Sequence, residues 1–284
     1  MSEPVWRLLR SRPATGAWNM AVDDVLLQGV AFDTAPPTLR FYAWTPPCLS
    51  LGYFQPFDVV DLDACLARGV DVVRRPTGGR AILHDREVTY SLALPAAVLG
   101  HDWGILPSYY RISRALQAAL RELGIETALA PETAGPAMSE HGPICFDRPS
   151  AHEILLHGRK LVGSAQVRRG AALLQHGSIL IEPRLEAMFA CLRLRQPPAA
   201  ADAGRHGLMA AVAGLGEAGI DDPEQIAAVI GSGIAQEFRI RLEAGGLTNE
   251  ESAAAAELAR SRYASASWTE RLAPSPTQKT TRTR

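Results

Sequence analysis

The sequence predicts an α+β fold: a mixed, largely antiparallel sheet with packed helices and a helical C-terminal extension. Three observations carry this. Helical and strand periodicities are interleaved along the chain, but the strands come in hairpin-like groups and not in strict βαβ alternation. Glycine turns at Gly78-Gly79 and at Gly158 each lie between alternating apolar runs. Hydrophobic residues make up 47% and charged residues 21% of the 284, enough apolar matter to bury a real core.

The elements follow in order. Trp18, Val22, Val25, Leu26 and Val30 fall on one helical face and predict a first amphipathic helix over 18–30. Residues 39–44 alternate as a strand that Pro46-Pro47 ends. Asp61 as N-cap and Gly69 as terminator frame a short helix, and an apolar strand over 70–73 runs into the glycine loop. Val88, Tyr90, Leu92 and Leu94 alternate with Thr89, Ser91 and Ala93, a half-buried strand. A stronger helix covers 108–123, with Ile112, Leu116, Leu120 and Leu123 on one side and Gly124 beyond its end. Residues 130–143 read as an exposed Pro/Gly/Ala/Thr loop. Residues 152–156 and 160–167 form a hairpin about His157-Gly158-Arg159, and 178–181 a further strand. Beyond Glu182 the composition shifts: a linker over 196–207, then Thr248 and Glu251 as a capping box ahead of an alanine-rich helix to about Tyr263. The expected organisation is one domain over 1–195, a helical region over 196–265 that continues it, and a disordered tail over 266–284, polar and basic from Pro274 onward.

Composition narrows the function. With 29 basic and 30 acidic residues the net charge is -1, no electrostatic footprint for nucleic acid or an anionic membrane. No long uncharged apolar run of spanning length and no signal-type stretch in residues 1–12 is present. Four scattered cysteines without a CxxC pair argue against a zinc knuckle and a disulfide framework, and for a reducing, cytoplasmic setting.

Three segments can carry chemistry. In 74–85, RRPTGGRAILHD, adjacent glycines let the backbone approach a ligand, and Arg74, Arg75 and Arg80 can face an anion; the same segment also reads as a turn with solvated charges. His84 reads as a structural histidine or as a base. Cys145 lies in a loop-to-strand transition fifteen residues before Lys160, where a nearby ammonium would stabilise a thiolate; a lone cysteine is otherwise a small core hydrophobe. Cys48, Cys65 and Cys191 read as packing residues. In 158–166, GRKLVGSAQ, the small residues Gly163, Ser164 and Ala165 suit close packing of a ligand on the strand, with Lys160 at the mouth of a narrow tunnel or simply exposed.

Taken together, RRPTGGRAILHD, GRKLVGSAQ and LQHGSIL at 174–180 resemble the biotin/lipoate ligase and transferase superfamily, over about residues 18–182. Arg80 stands where the ATP-dependent lipoate ligases carry a third glycine, and CFDRPS at 145–150 is present. That combination is similar to the octanoyltransferases of the LipM type. The resemblance implies the biotin/lipoate protein ligase catalytic fold for 1–195. It implies a thioester on Cys145, a thiol acidified by Lys160, and no cofactor. It implies octanoyl-acyl carrier protein as donor, and a lipoyl domain of an E2 subunit or of the glycine cleavage H protein as acceptor. Arg75, Gly78, Gly79, Arg80, His84, Gly163, Ser164 and Ala165 would bind substrate. The competing expectations are an ATP-dependent lipoate-protein ligase, an octanoyl amidotransferase between lipoyl domains, and a non-catalytic module that kept the fold.

Overall fold

The computed structural model describes residues 3–100, 104–131, 151–193 and 206–271. Its frame is an eight-stranded mixed sheet built from β1 (Val5–Arg10), β2 (Thr38–Tyr42), β6 (Glu87–Pro95), β7 (Ala128–Leu129), β8 (Ile154–Leu156), β9 (Arg159–Arg169), β10 (Ala172–Leu180) and β11 (Arg241–Gly245). The spatial order is β11-β1-β2-β6-β10-β9-β8-β7. The two pairings at the β11 end are parallel and the other five antiparallel. A second sheet of three short strands, β4 (Asp71–Arg74), β3 (Cys48–Leu51) and β5 (Ile82–His84), stands beside it in the order β4-β3-β5.

The period of two in β10 sorts its side chains. Leu173 and Ile179 join the core beneath helices α3 (Ile105–Glu122) and α5 (Pro223–Phe238), whose Ile112, Leu116, Leu120, Ile226, Ile230 and Ile234 are buried there. Leu174 faces the other way, into the cluster built on helix α1 (Gly16–Ala31) with Met20, Leu26 and Leu27. A third cluster joins the small sheet to α2 (Leu62–Ala67) and α4 (Leu185–Ala190). Caps form where their chemistry predicts them. Asp61 accepts from the Ala64 amide at the start of α2. Thr248 and Glu251 close a reciprocal capping box on α6 (Asn249–Leu258), and a π-helical turn carries that helix on through Tyr263.

Several elements depart from the sequence reading. Strand β10 begins at Ala172, not 178, because both its faces are buried and no polar alternation marks it. Strand β3 is likewise buried at all four positions. Strand β1 hides behind its arginines; Arg7 is neutralised by Glu251, 2.7 Å away. The C-terminal region is not purely helical, since β11 adds a parallel edge strand beside β1. Residues 266–271, expected as tail, are docked: α7 (Ala266–Thr269) places the Trp268 indole N–H on the Arg74 carbonyl, 2.9 Å away. No helix among the described residues is long and apolar enough to cross a membrane.

Candidate active site

Strand β4 ends in Arg74, Arg75 follows directly after it, and both are buried. Their guanidiniums are occupied by the protein's own carbonyls. Arg74 Nη1 donates to the Gly52 and Gln55 oxygens at 2.8 and 2.6 Å, and its Nε and Nη2 to the Thr269 oxygen at 3.0 and 2.8 Å. Burial, then Arg271 and Arg75, lower its pKa to about 10, so it stays charged at neutral pH. Arg75 Nη2 donates to the Gly78 and Arg80 oxygens, each at 2.8 Å, which folds the glycine loop back on itself. Gly79 has φ 92°, and a Cβ on Gly52 would collide with the Gly79 carbonyl. Gly52, which no motif marked, is therefore the surface on which the loop rests.

Beside this loop lies a cleft with about 390 Å³ of atom-free space. Gly163, Ser164 and Ala165 of β9 and His176, Gly177 and Ser178 of β10 line it below; Met20, Tyr42, Trp44, Thr89, Ser50, Ile82, His84 and Arg75 form the rest. Gly177 is small for a reason: a Cβ there would meet a Tyr90 ring carbon at 2.8 Å and the Gly163 oxygen at 2.9 Å. Five of the expected substrate-binding residues, Arg75, His84, Gly163, Ser164 and Ala165, thus share one cavity. Gly78, Gly79 and Arg80 belong to the adjoining loop and do not line it. Lys160 is buried at the start of β9 with its ammonium 2.7 Å from Glu153 Oε1, and it does not line the cleft either. Cys145 lies outside the described residues.

Two histidines border the cavity, each oriented by a carboxylate. His84 stacks on Trp44 with ring centroids 4.0 Å apart and planes 9° apart. Its Nδ1 lies 2.7 Å from Glu87 Oε1 and its Nε2 lies 2.8 Å from Ser50 Oγ. His176 Nδ1 is 3.2 Å from Asp23 Oδ2 and its Nε2 is 2.7 Å from Thr77 Oγ1. Burial pulls the His176 pKa down further than Asp23 lifts it, so the ring is neutral at pH 7. Burial pushes the Asp23 carboxyl up, but Arg40 at 2.8 Å and hydrogen bonds from His176 and Ser91 outweigh it and hold the pKa below its ordinary value. The Cys48 and Cys65 thiols are raised by burial, Cys65 to about 12, as inert packing groups are.

Sequence reasoning passed over Asp23, Ser50 and Glu87 and left His176 without a role. The signal for Asp23 is visible in retrospect: an acid pair, Asp23-Asp24, embedded among Met20, Ala21, Val22, Val25, Leu26 and Leu27 on an otherwise apolar helix.

Comparison with known proteins identifies the family. Residues 15–231 match the lipoyl protein ligase A/B catalytic domain. The chain is 42% identical to octanoyltransferase LipM of Moorella thermoacetica over 95% of its own length and 100% of the relative's. It is 41% identical to octanoyltransferase LipM of Kyrpidia tusciae over 93% of itself and 97% of the relative. Among solved structures, lipoate-protein ligase A bound with ATP superposes with a TM-score of 0.77 at 24% identity, covering 95% of this chain and 100% of the other. A bipartite lipoate protein ligase from Thermoplasma acidophilum superposes with a TM-score of 0.78 at 22% identity, covering 98% and 99%. At such identities these two structures establish the shared fold. The chain belongs to the lipoyl protein ligase A/B catalytic-domain family and, within it, to the LipM group.

Proposed function

We propose that this chain is an acyltransferase that moves octanoyl from octanoyl-acyl carrier protein to a lysine of a lipoyl domain, in lipoate biosynthesis. The end-to-end match to octanoyltransferases LipM carries the reading. The cleft supports it: its small-residue floor and its Met20, Trp44 and Ile82 walls suit a slender apolar chain.

The chemistry needs no ATP, because a thioester arrives already activated. The Cys145 thiolate attacks the donor carbonyl carbon, the donor C–S bond breaks, and the carrier thiolate leaves and takes up a proton. The acceptor amine then attacks the enzyme thioester and forms an amide, the downhill step. Lys160 is the cation for the thiolate. Its buried ion pair with Glu153 fixes the position of its ammonium. Arg75 holds the glycine loop, and Gly163, Ser164 and Ala165 bed the chain. The acceptor is a lipoyl domain of an E2 subunit or the glycine cleavage H protein, and the setting is cytoplasmic, consistent with four unpatterned cysteines.

The test is intact-protein mass spectrometry after mixing the chain with octanoyl carrier protein, without ATP. A single octanoyl adduct, absent from Cys145→Ala and discharged by a lipoyl domain, is the expected result. No adduct, with product formed only from free octanoate and ATP, would replace the reading with a ligase. Product formed only from an octanoylated H protein would replace it with an amidotransferase.

A further inference from the structure

We propose that the C-terminal strap over residues 266–271 sets the shape of the glycine loop, and that Trp268 is a positioning residue for binding of the acyl donor. The inference rests on the transfer reading above and adds what holds the loop beside the cleft in place.

Arg74 leads into the glycine loop, and no carboxylate holds it. The residue is 0% exposed, and its described partners are all carbonyl oxygens. A buried guanidinium needs its N–H groups answered. Gly52 and Gln55 answer Nη1. The Nε and Nη2 groups both end on the Thr269 oxygen, which belongs to the strap. The Trp268 indole N–H closes the contact from the other side by donating to the Arg74 carbonyl.

The strap is itself gripped by stacked cations and rings. The guanidinium carbons of Arg262 and Arg271 lie 3.7 and 3.8 Å from the Trp268 ring centroid, and that of Arg271 lies 3.7 Å from the Tyr53 centroid. Arg271 Nη2 also donates to the Tyr53 oxygen at 3.2 Å. Behind the strap, Arg262 and the Tyr263 hydroxyl are tied to Asp24 of α1. Repulsion works against this grip: Arg271 places a second cation near Arg74 and, after burial, contributes most to lowering its pKa. The ring contacts and carbonyl bonds have to outweigh that repulsion, so removing Trp268 releases the strap.

From the strap the path to the cleft is short. The Arg75 amide donates to the Leu51 oxygen at 2.9 Å and the Tyr53 amide to the Thr77 oxygen at 2.8 Å, which binds the 51–53 segment to the glycine loop. Gly52 packs against the Gly79 carbonyl. Thr77 Oγ1 lies 2.7 Å from His176 Nε2, and Arg75 and His176 both line the cleft. Trp268, Thr269 and Arg271 do not line it, so what they do to the cleft passes through the loop.

A loop without its strap holds the donor-binding shape for only part of the time. The apparent donor affinity falls by that fraction, whereas at saturating donor binding itself restores the shape. This separates positioning from catalysis and from a general loss of fold.

Wild type, Trp268→Ala, Trp268→Phe and Arg271→Ala, each as the full chain, would be loaded over a concentration series of octanoyl carrier protein and followed by intact-protein mass spectrometry. Amide hydrogen exchange would be mapped in the same proteins. In Trp268→Ala the half-saturating donor concentration is expected to rise on the order of tenfold, with a much smaller change in the maximal loading rate. Exchange quickens over 51–56 and 74–80 and stays at the wild-type level in β6. Trp268→Phe keeps a ring for the two guanidiniums without the indole N–H and falls between, and Arg271→Ala shifts both readouts in the same direction. Unchanged half-saturation or unchanged exchange at the loop in Trp268→Ala overturns the proposal. So does a lower maximal rate at unchanged half-saturation, or faster exchange across the whole sheet. If Trp268→Ala does not fold, Arg271→Ala decides on the same readouts. A wild-type chain that never loads from octanoyl carrier protein overturns the transfer reading itself, and the exchange comparison then decides whether the strap holds the loop.

Discussion

Asp23 is wholly buried on α1, yet it receives Arg40, Tyr42, Ser91 and His176 within 3.2 Å. Removing one member of such a cluster strands the others. Asp23→Ala leaves the Arg40 guanidinium, itself 0% exposed, without its counter-charge, and a loss of about 3–5 kcal/mol in urea unfolding is expected. The pH dependence follows from two depressed pKa values. His176 titrates lower folded than unfolded, so its contribution is complete above about pH 6.5 and declines as pH falls toward the folded value. Asp23 acts in the same sense at lower pH, below about 3.9. Denaturation midpoints therefore fall from about pH 7 to about pH 5 in the wild type, and His176→Gln flattens that slope. An unchanged slope would sink the assignment. Of the residues around the cleft the sequence showed His84 by its place in a motif. It did not show Ser50, because a partner 34 residues away becomes visible only when β3 and β5 pair, and it did not mark Glu87, three residues past His84, as the carboxylate that meets the ring.

At the scale of elements, the glycine loop is shaped by what lies under it. Gly52→Ala pushes a methyl group against the Gly79 carbonyl, which cannot rotate away, since Arg75 holds the loop on either side. A loss of roughly 1–3 kcal/mol is expected, together with reduced loading by octanoyl carrier protein; full loading at wild-type stability would show that the loop tolerates displacement. Elements marked by a cap, a wet face or a clean alternation were legible, as with α2, the α6 capping box and β6, whose large apolar side chains alternate with Thr89, Ser91 and Ala93 although the strand is buried. Strand β10, buried throughout without such alternation, was legible only at its end. β10 pairs with β6 through nine residues from Ala172↔Pro95 to Leu180↔Glu87, so its interior polar residues Gln175, His176 and Ser178 answer to neighbours and not to water. Gln175 donates to the Tyr90 hydroxyl at 2.8 Å and Ser178 to Glu87. Such residues break the alternation that marks a strand.

For the whole molecule, the C-terminal region is part of the frame and not an attachment. Ile226, Ile230 and Ile234 of α5 are each 0% exposed. At about 1.5–3 kcal/mol apiece their burial is comparable to the net stability of a typical domain. A chain ending at residue 222 is expected to give no cooperative thermal transition by circular dichroism; a sharp melt would show that the first part folds alone. The clasp reaches further. Asp24, next to Asp23 on α1, receives Arg169 at 2.6 Å, Arg262 at 3.0 Å and the Tyr263 hydroxyl at 2.9 Å. Arg74 finds its Thr269 oxygen 195 positions along the chain. During synthesis from the amino terminus, β1 therefore emerges without its β11 neighbour, α1 with a buried acid that still lacks Arg262 and Tyr263, and Arg74 without its Thr269 oxygen. Residues 241–269 supply the strand, two of the Asp24 partners and the Thr269 oxygen, and they are synthesised long after these elements. The nascent chain must hold its cavity walls unfinished until then, so a ribosome stalled at residue 240 should display a protease-sensitive chain, and extension until residues 241–271 are free of the ribosome should make it resistant.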